Sequence, residues 1–274
     1  MPIWDIIVRL FFGTVIGFII GMTSIGAGAL VLPTLTVLLG MPATIAIGTA
    51  SLYSFLIKIF ASYRHFRLKT VDFRVSAQFL VGAVPADAAV SWWISGHAVE
   101  LRGQEEAMHA FQGRMTVIIA LVVLFCAIAL MLQGRKRNAT QSTAAHDSKI
   151  SRPALRIGSI AVAGAFVGAV MGATGIGGGV LVVPILIMVV GLPPARTVGT
   201  SIFIALFLSL LTAILYGKSG ETDIMTSIIM TIGGWVGVFF GGHLTTRIPD
   251  RALKLTITSI VMLAAVIMLA KAFI

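Results

Sequence analysis

The feature that most constrains this chain is that it repeats itself. A shift of 151 residues lays positions 13–49 on 164–200 without a gap, and 15 of those 37 positions are identical. Glycines carry much of the identity: Gly13/Gly164, Gly17/Gly168, Gly21/Gly172, Gly26/Gly177, Gly28/Gly179, Gly40/Gly191 and Gly48/Gly199. Thr23/Thr174, Ile25/Ile176, Pro33/Pro184, Pro42/Pro193 and Thr49/Thr200 join them, and Asp72/Asp223 keeps the same offset beyond the window. The chain is therefore two versions of one unit. Its apolar N-terminus, with small residues at 26–29, is read as part of that unit and not as a signal peptide, because the pattern returns in mid-chain.

Each unit is too apolar for water. The 274 residues are 58% hydrophobic and 11% charged, with a mean hydropathy of +1.02. A soluble domain carries about a quarter charged residues. An ordinary cytosolic enzyme, a disordered chain and a secreted disulfide scaffold are excluded. Apolar segments run over 6–22, 29–39, 45–63, 75–95, 115–132, 157–173, 180–190, 197–216, 224–244 and 253–272. Most are long enough to span or nearly span a bilayer, which takes about 20 residues. Segments 29–39 and 180–190 cover only about 16 Å each, half the hydrocarbon core. The expected fold is an all-α polytopic membrane protein: a first repeat over 1–132, a polar connector over 133–156 and a second repeat over 157–274.

Charge sets the expected orientation. The net charge is +10, but the basic residues sit mostly in loops between apolar runs, so they report topology and not nucleic-acid binding. Loop 64–74, the connector, Arg196 and 247–254 together hold 14 of the 20 Lys and Arg residues. Placing these in the cytoplasm puts 217–223 outside, opposite its counterpart 64–74. The repeats are then inverted, with both termini outside, in a multi-pass protein of the cell (inner) membrane. Each repeat is expected to open with a re-entrant hairpin: 6–22 and 29–39 about a turn at 23–28, then 157–173 and 180–190 about a turn at 174–179. Inverted repeats with broken helices are typical of secondary transporters.

The turns carry the candidate chemistry. They read Thr23-Ser24-Ile25-Gly26-Ala27-Gly28 and Thr174-Gly175-Ile176-Gly177-Gly178-Gly179, each just before a short helix. The first amides of a helix have no intrahelical partner and lie at the positive end of its dipole, which makes an anion site. Non-helical backbone at membrane depth is tolerated only when buried in protein or lining a wet cavity. One terminus gives about 0.3–2 kcal/mol toward a charge. Desolvating an ion costs several kcal/mol. Both turns and nearby hydroxyls are therefore needed, so Thr49, Ser51, Thr200 and Ser201 on the following helices join the candidate set. Back-bonding to their own helices is the alternative for these four. Gly13/Gly17/Gly21 and Gly164/Gly168/Gly172, spaced by four, are read as helix-packing faces.

Asp87, beside Pro85 in segment 75–95, is an ionisable residue at depth and a candidate for a coupling proton. Lys58 joins it as a proton-coupling candidate, either pairing with it or, as the alternative, snorkelling to the cytoplasmic surface. His243 is a second proton candidate, with an interfacial packing role as the alternative. His97 and His109 fall in a stretch, 97–113, read as an amphipathic surface loop. Cys126 is the only cysteine, so no internal disulfide or Cys-ligated metal site is expected, and no motif calls for another metal site or a cofactor.

The paired Ile-Gly-Ala-Gly-Ala-Leu-Val-Leu-Pro (25–33) and Ile-Gly-Gly-Gly-Val-Leu-Val-Val-Pro (176–184), each followed by Gly-Thr (48–49 and 199–200), resemble the TauE/SafE sulfite exporter family of membrane permeases. The similarity covers nearly the whole chain. The first copy departs from the glycine-rich pattern at Ser24, Ala27 and Ala29. The resemblance implies transport of a small sulfur anion such as sulfite, sulfoacetate or thiosulfate, with some members handling organic acids. Export by alternating access, with the anion between the two turns, is the expected function. A passive anion channel, an importer of thiosulfate or a small organic acid, and an intramembrane enzyme are the alternatives. The expected partners are the small anion, the bilayer and a coupling proton; the sequence leaves the oligomeric state open.

Overall fold

The structure, a computed structural model, describes residues 2–23, 28–136, 153–176 and 179–244, and in the last segment 259, 262–263, 265–268 and 270. The order is α1 (Ile3–Thr23), α2 (Gly28–Pro33), α3 (Ala43–Arg67), α4 (Phe73–Glu100), α5 (Glu105–Lys136), α6 (Pro153–Thr174), α7 (Gly179–Ile185), α8 (Pro194–Lys218) and α9 (Ile224–Leu244). No strand occurs among the described residues. Six of these helices are long and apolar enough to cross a membrane: Ile3–Gly21, Ala43–Arg67, Phe73–Glu100, Glu105–Cys126, Arg196–Lys218 and Ile224–Gly241. Gly158–Thr174 is apolar but shorter.

The short helices have a local cause. Pro33 and Pro184 lack the amide that an α-helix needs, and a proline ring crowds the carbonyl four residues back. Both helices open into π-helical turns directly after, at Thr34–Leu38 and Leu186–Val190. The second ends at Gly191 in a left-handed conformation, φ +73°.

Two sequence boundaries shift. Stretch 97–113 is not a loop, because α4 runs to Glu100 and α5 starts at Glu105. His97 lies in the last turn of α4, stacked on Trp93 and 3.3 Å from Glu100, and His109 lies on α5. Asp72 begins α4 by accepting from the Val75 amide at 3.1 Å. Of the connector, α5 takes residues through Lys136 and α6 begins at Pro153; the rest lies outside the described residues.

The halves clasp each other by exchange. A Cβ on Gly13 would strike the backbone of Met230, and one on Gly17 that of Gly234, so α1 lies directly against α9. At the counterpart positions, Gly164 meets Phe79 and Gly168 meets Ala83, so α6 lies against α4 in the same way. In both pairs the numbers rise together, so the paired helices run parallel. These glycines are helix-packing faces, as their spacing suggests. The same reciprocity holds for hydrogen bonds. The Asp223 amide donates to the Thr49 hydroxyl at 2.9 Å, and the Asp72 amide donates to the Thr200 hydroxyl at 3.0 Å. Helices α3 and α8 cross at Lys58 and Ser209, which are themselves counterparts 151 residues apart.

Candidate functional site

Where α6 stops decides what its glycine turn can touch. Gly172 packs on Asp87, and Asp87 lies 14 residues from Phe73 and 13 from Glu100, midway along α4. Helix α4 is about 42 Å long at 1.5 Å per residue, so the turn after Thr174 sits about 20 Å from either end of it. Backbone that leaves a helix at that depth must be enclosed by protein or face a wet space.

The turn is held from three sides. Thr174 is buried and its hydroxyl donates to the Val170 carbonyl at 2.7 Å while accepting from the Ile176 amide at 3.3 Å. Gly175 is left-handed, φ +62°, and its amide donates to the Met171 carbonyl at 2.6 Å. A Cβ there would stand 2.8 Å from Ser51 Oγ and 2.9 Å from the Ile47 carbonyl oxygen. The turn thus rests on α3 between Ile47 and Ser51, which share one helix face. Ser51 is 1% exposed and its hydroxyl has no hydrogen-bond partner among the described residues.

Beside the turn lies a buried polar cluster. Asp87 accepts from Thr212 Oγ1 at 2.9 Å and from Ser91 Oγ at 3.1 Å. Tyr216 donates its hydroxyl to the Gly172 carbonyl at 2.9 Å. The cluster joins α4, α6 and α8, so the carboxylate touches both repeats.

The other sequence candidates divide. Thr49 lies two residues from both Ile47 and Ser51, hence on the opposite face of α3, and its hydroxyl is taken by Asp223. Thr200 is engaged likewise by Asp72, and Ser201 donates back to the Val198 carbonyl at 2.9 Å. The pairing of Lys58 with Asp87 is not made. Lys58 Nζ donates to Ser209 Oγ at 3.3 Å, and Asp87 is held by hydroxyls. Snorkelling fails too, since Lys58 is 6% exposed and lies nine residues before the end of α3. Thr23 ends α1, Gly28 starts α2 and Gly179 starts α7; Ser24, Gly26, Ala27, Gly177 and Gly178 lie outside the described residues, as does the side chain of His243 on α9.

Sequence reasoning passed over Ser54, Ser62, Ser91, Thr212 and Tyr216. Ser91 was legible, being one helical turn from Asp87. Ser54 and Ser62 repeat with Ser51 and Lys58 at helical spacing. Thr212 and Tyr216 come from the other repeat, and no spacing announces them.

The sulfite exporter TauE/SafE family matches residues 9–268. A "Probable membrane transporter protein YjnA" of Bacillus subtilis (strain 168) is 28% identical over 253 residues, 92% of this chain and 95% of that protein. A "Probable membrane transporter protein" of Xylella fastidiosa (strain Temecula1 / ATCC 700964) is 27% identical over 90% of this chain and 88% of its own. The Bacillus subtilis "Probable membrane transporter protein YunE" is 24% identical over 93% and 92%. No solved structure matches the chain. With a duplicated, helical, lipid-compatible body and a match over nearly its full length, this multi-pass membrane protein belongs to the TauE/SafE sulfite exporter family of membrane transporters.

Proposed function

We propose that the chain is a secondary carrier that exports a small sulfur oxyanion or organosulfonate, such as sulfite or sulfoacetate, by alternating access between inverted repeats. The anion is held between the two glycine turns, by the amides that open α2 and α7 and by the hydroxyls of Thr23, Ser24 and Ser51, while Thr174 braces the second turn through its bonds to Val170 and Ile176. The observation that carries the reading is the left-handed turn at Gly175, in mid-bundle, against a buried Ser51 hydroxyl that has no hydrogen-bond partner among the described residues. The exchange of α1 and α6 between halves supports the inverted arrangement, because reciprocal contacts are what a two-fold relation produces. Asp87 is the coupling group in this scheme, bonded by Thr212 across the repeats.

The test is uptake by purified protein in proteoliposomes, with sulfite, thiosulfate, sulfoacetate, taurine and lactate, with and without a pH gradient. Saturable uptake of a sulfur anion with trans-stimulation is expected. Flux that rises linearly without counterflow assigns a channel instead. Movement of lactate alone assigns an organic-acid carrier, and a chemically altered substrate assigns an enzyme.

A further inference from the structure

Helix α3 carries a buried polar stripe that the glycine turns do not account for. Ser51, Ser54, Lys58 and Ser62 fall on one face at helical spacing, at 1%, 0%, 6% and 7% exposure. Elsewhere in the bundle, hydroxyls bond back to their own helix, as Thr14 does to Leu10, Thr36 to Leu32, Thr116 to Gln112 and Thr231 to Ser227. The hydroxyls of Ser51, Ser54 and Ser62 make no such bond and have no partner among the described residues. A buried hydroxyl without a partner is costly, and three in a row on one face need something transient to bond them.

The stripe has a direction and a sign. Toward the start of α3 its face ends in a closed network. Thr44 donates to Glu221 at 2.6 Å, Arg102 reaches Glu221 at 2.8 Å, and Gln112 Nε2 donates to Thr44 Oγ1 at 2.9 Å. Toward the other end it passes Ser62 to the basic loop that follows α3. In the middle stands Lys58. Its one described bond is a long one, 3.3 Å, to the neutral Ser209, and no described carboxylate lies within ion-pair distance of it. An ammonium has three donors, so two remain for another group. A cation at membrane depth is unfavourable unless an anion or strong acceptors compensate it.

We propose that this face of α3 is the passenger's route between the Gly175 turn and the cytoplasmic end, with Lys58 as the counter-charge that selects an anion. The inference rests on the carrier reading above and adds the residue that sets its charge selectivity. Ser51 joins the route to the turn, since its hydroxyl lies where a Gly175 Cβ would point. Ser54 and Ser62 hold the anion by hydrogen bonds on either side of the lysine.

Two measurements test it, both on the full chain in proteoliposomes. In the first, sulfite uptake is compared between wild type, Lys58→Arg and Lys58→Met. Lys58→Arg is expected to keep saturable uptake, and Lys58→Met to raise the half-saturating concentration about tenfold or more, the usual worth of a lost hydrogen bond to a charged group. Wild-type saturation in Lys58→Met overturns the role of the lysine. In the second, cysteines replace Ser51, Ser54 and Ser62 one at a time in a Cys126→Ser background, and an anionic sulfonate-bearing thiol reagent is applied. Labelling at all three, faster than by a cationic reagent and slowed by sulfite, is expected. No labelling at Ser51 and Ser54, or equal rates for both reagents, overturns the route, whether or not Lys58→Met assembles. If the wild type moves no sulfur anion, the carrier reading fails, which is distinct from normal transport by a wild type whose stripe does not label.

Discussion

Single residues in this protein are constrained by what surrounds them at depth. Gly175 has a left-handed backbone and no room for a Cβ beside Ser51 and Ile47. Gly175→Val is expected to lose sulfite transport and about 1–3 kcal/mol of stability from backbone strain, before any steric shift is counted. Thermal unfolding in detergent and uptake by the surviving protein check the two effects separately. Asp87 is constrained by its bonds. Asp87→Asn keeps an acceptor oxygen for Thr212, so the folded yield is expected to hold while the pH response of transport flattens. A pH profile unchanged from wild type would remove Asp87 from the coupling step. The sequence pointed to both residues, Gly175 by its place in the second glycine turn and Asp87 by its depth. It did not point to the partners of Asp87, because the Thr212 contact joins residues 125 apart.

At the scale of elements, the helices are fastened by small residues and by caps shared between repeats. Gly17→Leu and Gly168→Leu each drive a side chain into the backbone of a parallel neighbour, at Gly234 and Ala83. Both are expected to abolish a monodisperse peak in size-exclusion chromatography. Gly158→Leu, in open space, is expected to leave that peak intact. The shared caps give a milder and paired effect. Thr49→Val and Thr200→Val each remove one acceptor from an aspartate amide, at a cost of about 1 kcal/mol. The two bonds share no residue, so the double variant is expected to show the sum within about 0.5 kcal/mol, read from unfolding midpoints. The glycine faces were legible as spacing; that they serve α9 and α4, and not each other, was not. A four-residue spacing says a helix packs closely without saying against which helix.

For the molecule as a whole, the proposed inverted arrangement predicts that counterpart positions lie on opposite sides of the membrane. Arg67 and Lys218 end α3 and α8 at the 151-residue offset. In a Cys126→Ser background, Lys218→Cys is expected to react with an impermeant thiol reagent from outside intact cells, and Arg67→Cys only after lysis. Labelling of both from one side would end the inverted reading and with it the alternating exchange of access.

The sequence by itself determined the duplication, the lipid environment, the helical class and the break after Thr174, because these rest on local spacing and on transfer from water to hydrocarbon. Only the tertiary structure decided what the candidate hydroxyls meet. Thr49 and Thr200 read as substrate ligands in one dimension, yet they tie the repeats together, since an amide from the other half reaches them. Lys58 read as a partner of Asp87 or as a snorkelling residue, yet it meets its own counterpart, Ser209, where α3 and α8 cross. Pairings of that kind depend on how two copies of one unit dock. Docking is fixed by contacts between residues far apart in the chain, and no local pattern encodes them.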